Sequence, residues 1–118
     1  MIYLRFFSLL FVMLTAACQV TTEQARNKGS RLEGQSNKSA QQLSECIYNR
    51  WSTTTVIARD DTSHIEKSDV RTTVFTWEDS MFVDITPQGK GTDYKFYTTF
   101  DMGPTVLADR KAIVSQCS

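Results

Sequence analysis

The chain is short of the side chains that chemistry most often needs. Among 118 residues there is one histidine, and Lys plus Arg number 13 against 13 for Asp plus Glu. A single imidazole, His64, leaves little room for nucleophile–base catalysis, which needs both partners within hydrogen-bond reach. The balanced charge lacks the basic footprint of a nucleic-acid binder. No acidic block suggests a metal buffer. Three cysteines and one histidine follow none of the usual ligand spacings of a metal site. Gly89 and Gly91 are too few for a phosphate loop and precede a strand. No internal repeat is visible. Neither a metal, a cofactor nor a nucleic-acid partner is therefore expected. The longest apolar run is about a dozen residues, short of the ~20 that span a bilayer comfortably.

That apolar run is informative in its place. Arg5 precedes residues 6–14, which are mostly apolar, and Thr15-Ala16-Ala17-Cys18 follows. A positive start, a greasy centre and small residues before a cut are the layout of a secretory signal. Leu14-Thr15-Ala16-Ala17-Cys18 resembles the lipobox read by the lipoprotein signal peptidase. Ala16, Ala17 and Cys18 match, while Thr15 stands where that family usually has Leu. The resemblance implies a diacylglyceryl thioether on Cys18, cleavage before it and N-acylation (palmitate-type chains) of the new terminus. Gln19, in place of the Asp that retains such proteins at the inner membrane, implies delivery to the outer membrane. One acyl chain holds a protein only marginally, and two or more hold it firmly. The alternative is ordinary signal-peptidase cleavage after Ala17, giving a soluble periplasmic protein.

An exported chain meets an oxidising compartment, where thiols pair. With Cys18 carrying lipid, Cys46 and Cys117 remain and one connectivity is available. Such a loop of ~72 residues contributes up to about 4.4 kcal/mol in the chain-entropy model, against ~5–10 kcal/mol of net stability for a domain this small. Two free buried thiols are the competing reading.

The expected organisation is a signal peptide at 1–17, a lipidated flexible tether at 18–38 and a disulfide-closed α+β domain at 39–118. The tether is dominated by Gln, Asn, Ser, Thr, Gly and charge, with only Val20, Ala25 and Leu32 apolar. Such a stretch buries too little to offset its ordering entropy, and twenty flexible residues span roughly 25 Å. A weak helix over 22–31 would change little. Ser39 and Gln42 fit a capping box, and Leu43, Ile47 and Trp51 then fall on one helical face. Segments 53–59, 70–77, 81–86 and 92–100 read as strands. In the third, Met81, Val83 and Ile85 alternate with Phe82, Asp84 and Thr86; in the fourth, Tyr94 and Phe96 alternate with Lys95 and Tyr97. Residues 87–91 form a hairpin loop. Residues 105–116 read as a helix capped by Thr105, with Val106, Ile113 and Cys117 on a stripe that Arg110 interrupts. The prediction is a four-stranded antiparallel meander covered by an N-terminal and a C-terminal helix that one disulfide joins.

Three elements carry a family likeness. They are Cys46-Ile47-Tyr48-Asn49-Arg50-Trp51, then Phe82-Val83-Asp84-Ile85-Thr86-Pro87 with Gly89, Gly91 and Tyr94, and last Ala112-Ile113-Val114-Ser115-Gln116-Cys117. Over residues 43–118 the chain resembles small outer-membrane lipoproteins of Gram-negative bacteria and their phages or prophages, most without an assigned activity. The resemblance implies the same disulfide and an α+β core, and it carries over no catalytic residue.

Enzymatic constellations are thin. Asp60, Asp61, His64 and Glu66 can be drawn as a metal site, but neighbouring carboxylates in a polar loop are ordinarily just solvated. Ser63 beside His64 does not make a triad, which geometry defines. Asp84 and Asp93 could supply paired carboxylates for glycoside hydrolysis, yet they fall opposite the proposed core and read as wet-face charges paired with Lys95. Tyr48, Trp51, Phe75, Trp77, Phe82 and Tyr97 are too many for a single small core. Phe82 and Tyr97 alternate away from it, either pairing across strands or forming a partner surface. The expected function is binding rather than catalysis. A lipid bilayer would hold acylated Cys18, and an unidentified envelope protein would meet Phe82 and Tyr97 on the periplasmic side of the outer membrane. Envelope assembly, secretion or phage and plasmid exclusion suit this build. Inhibition of a wall hydrolase such as lysozyme is the alternative, with residues 87–91 as the inserting loop, and a small hydrolase is the remote one.

Overall fold

Two capping boxes start the first two helices among the described residues. In α1 (Thr22–Lys28), the Thr21 hydroxyl accepts the Gln24 N–H at 3.1 Å, while the Gln24 side-chain oxygen accepts the Thr21 N–H at 2.9 Å. Ser39 and Gln42 repeat the reciprocal pair at the start of α2 (Ala40–Thr53). Each box satisfies amide donors that the first helical turn leaves unpaired. The computed structural model that shows this describes residues 20–54 and 62–118.

Five strands form one sheet among the described residues: β1 (Leu32–Ser36), β2 (His64–Lys67), β3 (Thr72–Thr76), β4 (Met81–Gln88) and β5 (Gly91–Thr98). Their order is β1-β5-β4-β3-β2, antiparallel throughout. The fold is α+β, as the alternation pattern predicts, but the four-stranded meander is corrected to five strands. Three expected strands are present as β3, β4 and β5. The expected strand 53–59 is not among them: Thr53 ends α2, and residues 55–59 lie outside the described residues. Two strands were unforeseen. β2 occupies the loop-like run around His64, and β1 occupies the stretch expected to be a tether.

β1 pairs with β5 so that Gly34 faces Tyr94 and Leu32 faces Phe96. The Tyr94 ring lies across the strand at Gly34, where a Cβ would come within 2.5 Å of the phenol oxygen. Glycine is needed there for space. The loop between β4 and β5 is two residues, since Gln88 pairs with Gly91, and Gly89 takes φ 59 at its first position. A glycine at that position is the pattern of a tight hairpin turn. Pro87 lies inside β4, but β3 begins opposite Ile85, so the missing N–H forfeits no bond to β3. The β3–β4 turn is less relaxed. Trp77, Glu78 and Asp79 all have positive φ, at 49, 53 and 64.

Helix α3 (Pro104–Cys117) starts without the expected Thr105 cap. Gly103, at φ 92, leads into Pro104 in the first turn, with no side-chain cap. Proline suits that place because its absent N–H would have no helical partner. Helices α2 and α3 pack on one sheet face around Leu43, Ile47, Trp51, Val83, Phe96 and Val114. The Cys46–Cys117 disulfide joins them with Cα atoms 5.8 Å apart. Arg110 sits fully buried in the apolar stripe of α3. It donates to the Thr76 hydroxyl at 3.3 Å, to the Trp51 carbonyl at 3.4 Å and to Asp109 at 2.6 Å. Placing a charge there is tolerable because the guanidinium fork is hydrogen-bonded.

Candidate functional site

The other sheet face carries the aromatic residues that the alternation sets apart from the core. Register aligns His64, Phe75, Phe82 and Tyr97 in one row across β2 to β5. Ring centroids along the row lie 4.7, 5.5 and 5.2 Å apart, within the range of favourable aromatic pairs. Phe82 and Tyr97 do point away from the α2–α3 core. They are nevertheless only 0% and 7% exposed, because α1 lies over them and Ala25 joins Phe75, Phe82 and Tyr97 in a second cluster. The segment expected to be a flexible tether thus forms helix α1 and strand β1, and α1 supplies the cover of this face.

Arg26 fixes that cover. Its Nε donates to Asp84 Oδ2 at 2.7 Å and its Nη2 to Oδ1 at 2.9 Å, the fork-to-fork geometry of a strong charge-assisted pair. The same guanidinium stands 5.0 Å from the Phe82 ring centroid. Asp84 also accepts the Thr73 hydroxyl at 2.8 Å, with Arg71 at 3.9 Å. The hydrogen bond to Asp84 raises the Arg26 pKa, outweighing the opposing effect of burial. Burial first, and the Asp84 charge second, push the Tyr97 phenol upward. Asp84 is therefore not the wet-face carboxylate paired with Lys95 that the alternation suggests; it is 7% exposed and held by α1. With both oxygens already accepting hydrogen bonds, its carboxylate is fully engaged.

The remainder of this face stays open. Glu33, Gln35, Asp93 and Lys95 line a shallow polar cleft of about 310 Å³ with Gly34 and Tyr94 at its base. Asp84 and Asp93 are thus in different surroundings, one under α1 and one beside it.

His64 stacks on Phe75, and its Nε2 lies 3.5 Å from Glu66 and 3.8 Å from Asp79. Asp60 and Asp61 lie outside the described residues, and among the described residues no group of three or more His, Cys, Asp or Glu could hold a metal ion. Trp51 belongs to the core, its indole N–H donating to the Arg110 carbonyl at 3.3 Å. The expected loop at 87–91 narrows to the Gly89-Lys90 turn, although residues 86–90, at the end of β4 and in the turn, are exposed beyond the start of β3. Cys18 also lies outside the described residues. No described helix is long and apolar enough to cross a membrane.

The sequence allows a weak helix over 22–31; what its reading misses is that this helix docks on the sheet and is clamped by Arg26. One signal was present: Thr21-Thr22-Glu23-Gln24 is a capping-box pattern like the one recognised at Ser39. Comparison with protein-family models, curated proteins and solved structures found no match.

Proposed function

We propose that this protein is a lipid-anchored binding module of the outer membrane, acylated at Cys18, facing the periplasm and acting without catalysis. Its partner is an envelope protein, in keeping with the resemblance to small Gram-negative and phage-encoded lipoproteins. The partner meets the sheet face that holds Phe82 and Tyr97. One observation carries this reading. Three packed aromatic side chains, Phe75, Phe82 and Tyr97, are covered by a seven-residue helix whose one buried side chain is Ala25. A helix so short has little stability of its own and is held mainly by the Arg26–Asp84 pair, so a partner that offers apolar surface to the rings and a cation to Asp84 takes its place. The open Glu33–Lys95 cleft beside it gives that partner polar contacts from the start.

The test is recovery of partners from envelope extracts by the acylated protein. Arg26→Ala, which loosens the cover, should raise recovery of a specific partner, and Tyr97→Ala should lower it. Equal recovery by wild type and both variants counts against this face. The exposed hairpin end at 87–90 favours a second reading, insertion into the cleft of a wall hydrolase. Lysozyme unaffected by a molar excess of the protein dismisses that one.

A further inference from the structure

The start of α1 brings the proposed anchor close to one end of the sheet. Only Gln19 and Val20 separate Cys18 from the Thr21 cap, a reach of about 10 Å at full extension. Thr22 lines the same small cleft as Lys67, Ser68 and Arg71, so the chain enters the fold beside the β2–β3 turn. Two of the exposed large apolar side chains sit at this entry: Val20, 41% exposed, and Val70, 68% exposed in that turn. Strand directions place the Gly89-Lys90 turn at the same end, since Thr72 pairs with Ile85 and Gln88 with Gly91. The basic side chains there are Lys38, Lys67, Arg71 and Lys90; the acidic ones are Glu23 in the first turn of α1, Glu66, Asp69, and Asp93, which lines the polar cleft with Glu33 and Lys95.

We propose that this end of the domain docks on the bilayer, with Val20 and Val70 entering the lipid interface and Lys67, Arg71 and Lys90 facing anionic headgroups. The proposal rests on acylation of Cys18. It follows from reach: no slack remains for the domain to stand away from the membrane, so whatever surrounds the entry point lies against the headgroups. Small apolar side chains among basic ones are what an anionic interface accepts. The opposite end of the sheet carries Phe100, just past β5, 67% exposed, whose N–H donates to the Ser80 carbonyl at 3.4 Å. A strand of five residues sets the two ends about 17 Å apart, so Phe100 points into the aqueous space.

The experiment uses the full acylated protein reconstituted in vesicles containing phosphatidylglycerol. A photo-reactive benzoylphenylalanine is placed at position 70 in one sample and at position 100 in another, both exposed sites. Intact mass first reports the acyl chains. Lipid adducts at position 70 should exceed those at position 100 by about tenfold, given exposure of one probe to lipid and the other to water. Adding Lys67→Gln to the position-70 sample should lower its adducts by about fivefold, the effect expected of one basic group at an anionic surface. A product without acyl mass sinks the anchor and the docking together. Acylated protein with equal lipid adducts at 70 and 100 sinks the docking alone.

Discussion

Replacing Arg26 with alanine isolates what holds α1 on the sheet. The helix brings one buried apolar side chain, Ala25, and a buried methyl contributes about 0.8 kcal/mol. Seven residues are too few for an independently stable helix. The main remaining attachment is the Arg26–Asp84 pair, two charge-assisted bonds of 2.7 and 2.9 Å, beside the Arg26 guanidinium over the Phe82 ring. Such bonds contribute ~1.5–3 kcal/mol each before the ordering of a long side chain is subtracted. The Arg26 side chain is 22% exposed, so solvent screens part of the gain. Once Arg26 is gone, Asp84 keeps the Thr73 hydroxyl and Arg71, which softens the penalty for a stranded buried charge. The expected loss is about 2–3 kcal/mol, below the ~3–5 kcal/mol for breaking a fully buried pair. Amide exchange at Ala25, whose N–H is bound to the Thr21 carbonyl at 3.0 Å, reads this directly. It should speed up ~30-fold or more, while core amides in β4 change far less. Asp84→Asn in the same background should cost less than the sum of the single changes. Exchange at Ala25 within twofold of wild type, with unchanged denaturant stability, would refute the assignment of α1 docking to this pair.

Three further outcomes follow from the packing. Gly34→Ala pushes on the Tyr94 ring, which can yield, and should cost about 1–2 kcal/mol; Gly91→Ala meets the Ser36 backbone carbonyl, which cannot, and should cost more in urea unfolding. Glu78→Gly removes one of three left-handed non-glycine residues from an exposed position and should raise stability by about 1 kcal/mol, read as a higher thermal midpoint. The raised Tyr97 pKa makes the folded state hold its proton more tightly than the unfolded state, so this contribution is complete below the ordinary tyrosine pKa of about 10 and is lost as pH climbs past it. Tyr97→Phe should therefore flatten part of the alkaline fall in stability; an unchanged alkaline limb would deny Tyr97 that role.

What could be read from the sequence is what carries apolar periodicity. Leu43, Ile47 and Trp51 recur at helical spacing, and Met81, Val83 and Ile85 alternate, so α2 and β4 show themselves. The cysteine pair is likewise visible through its count. β1 is hidden because its inward positions are Leu32, Gly34 and Ser36. Gly34 must be small beneath Tyr94, and the Ser36 hydroxyl donates to the Ser118 carbonyl at 3.0 Å. Geometry has replaced the very side chains that alternation seeks. α1 is hidden for a related reason: it docks through an ion pair and one alanine, so it has no apolar stripe. Alternation separates Phe82 and Tyr97 from the main core, but whether they are exposed depends on the docking of α1, which periodicity does not reveal. β2, at four residues, is too short to establish a period.

The sheet also joins the earliest strand to the latest. β1 hydrogen-bonds only β5 among the described strands, and 61 residues lie between Ser36 and Thr98. A polypeptide emerging from its N-terminal side therefore presents an unzipped sheet margin until the last strand arrives. Non-local pairing of this kind delays folding and prolongs the hazard of sticking to neighbours. The polar character of β1, with Glu33 and Gln35 outward and no bulky apolar side chain beyond Leu32, keeps that waiting margin from nucleating aggregates.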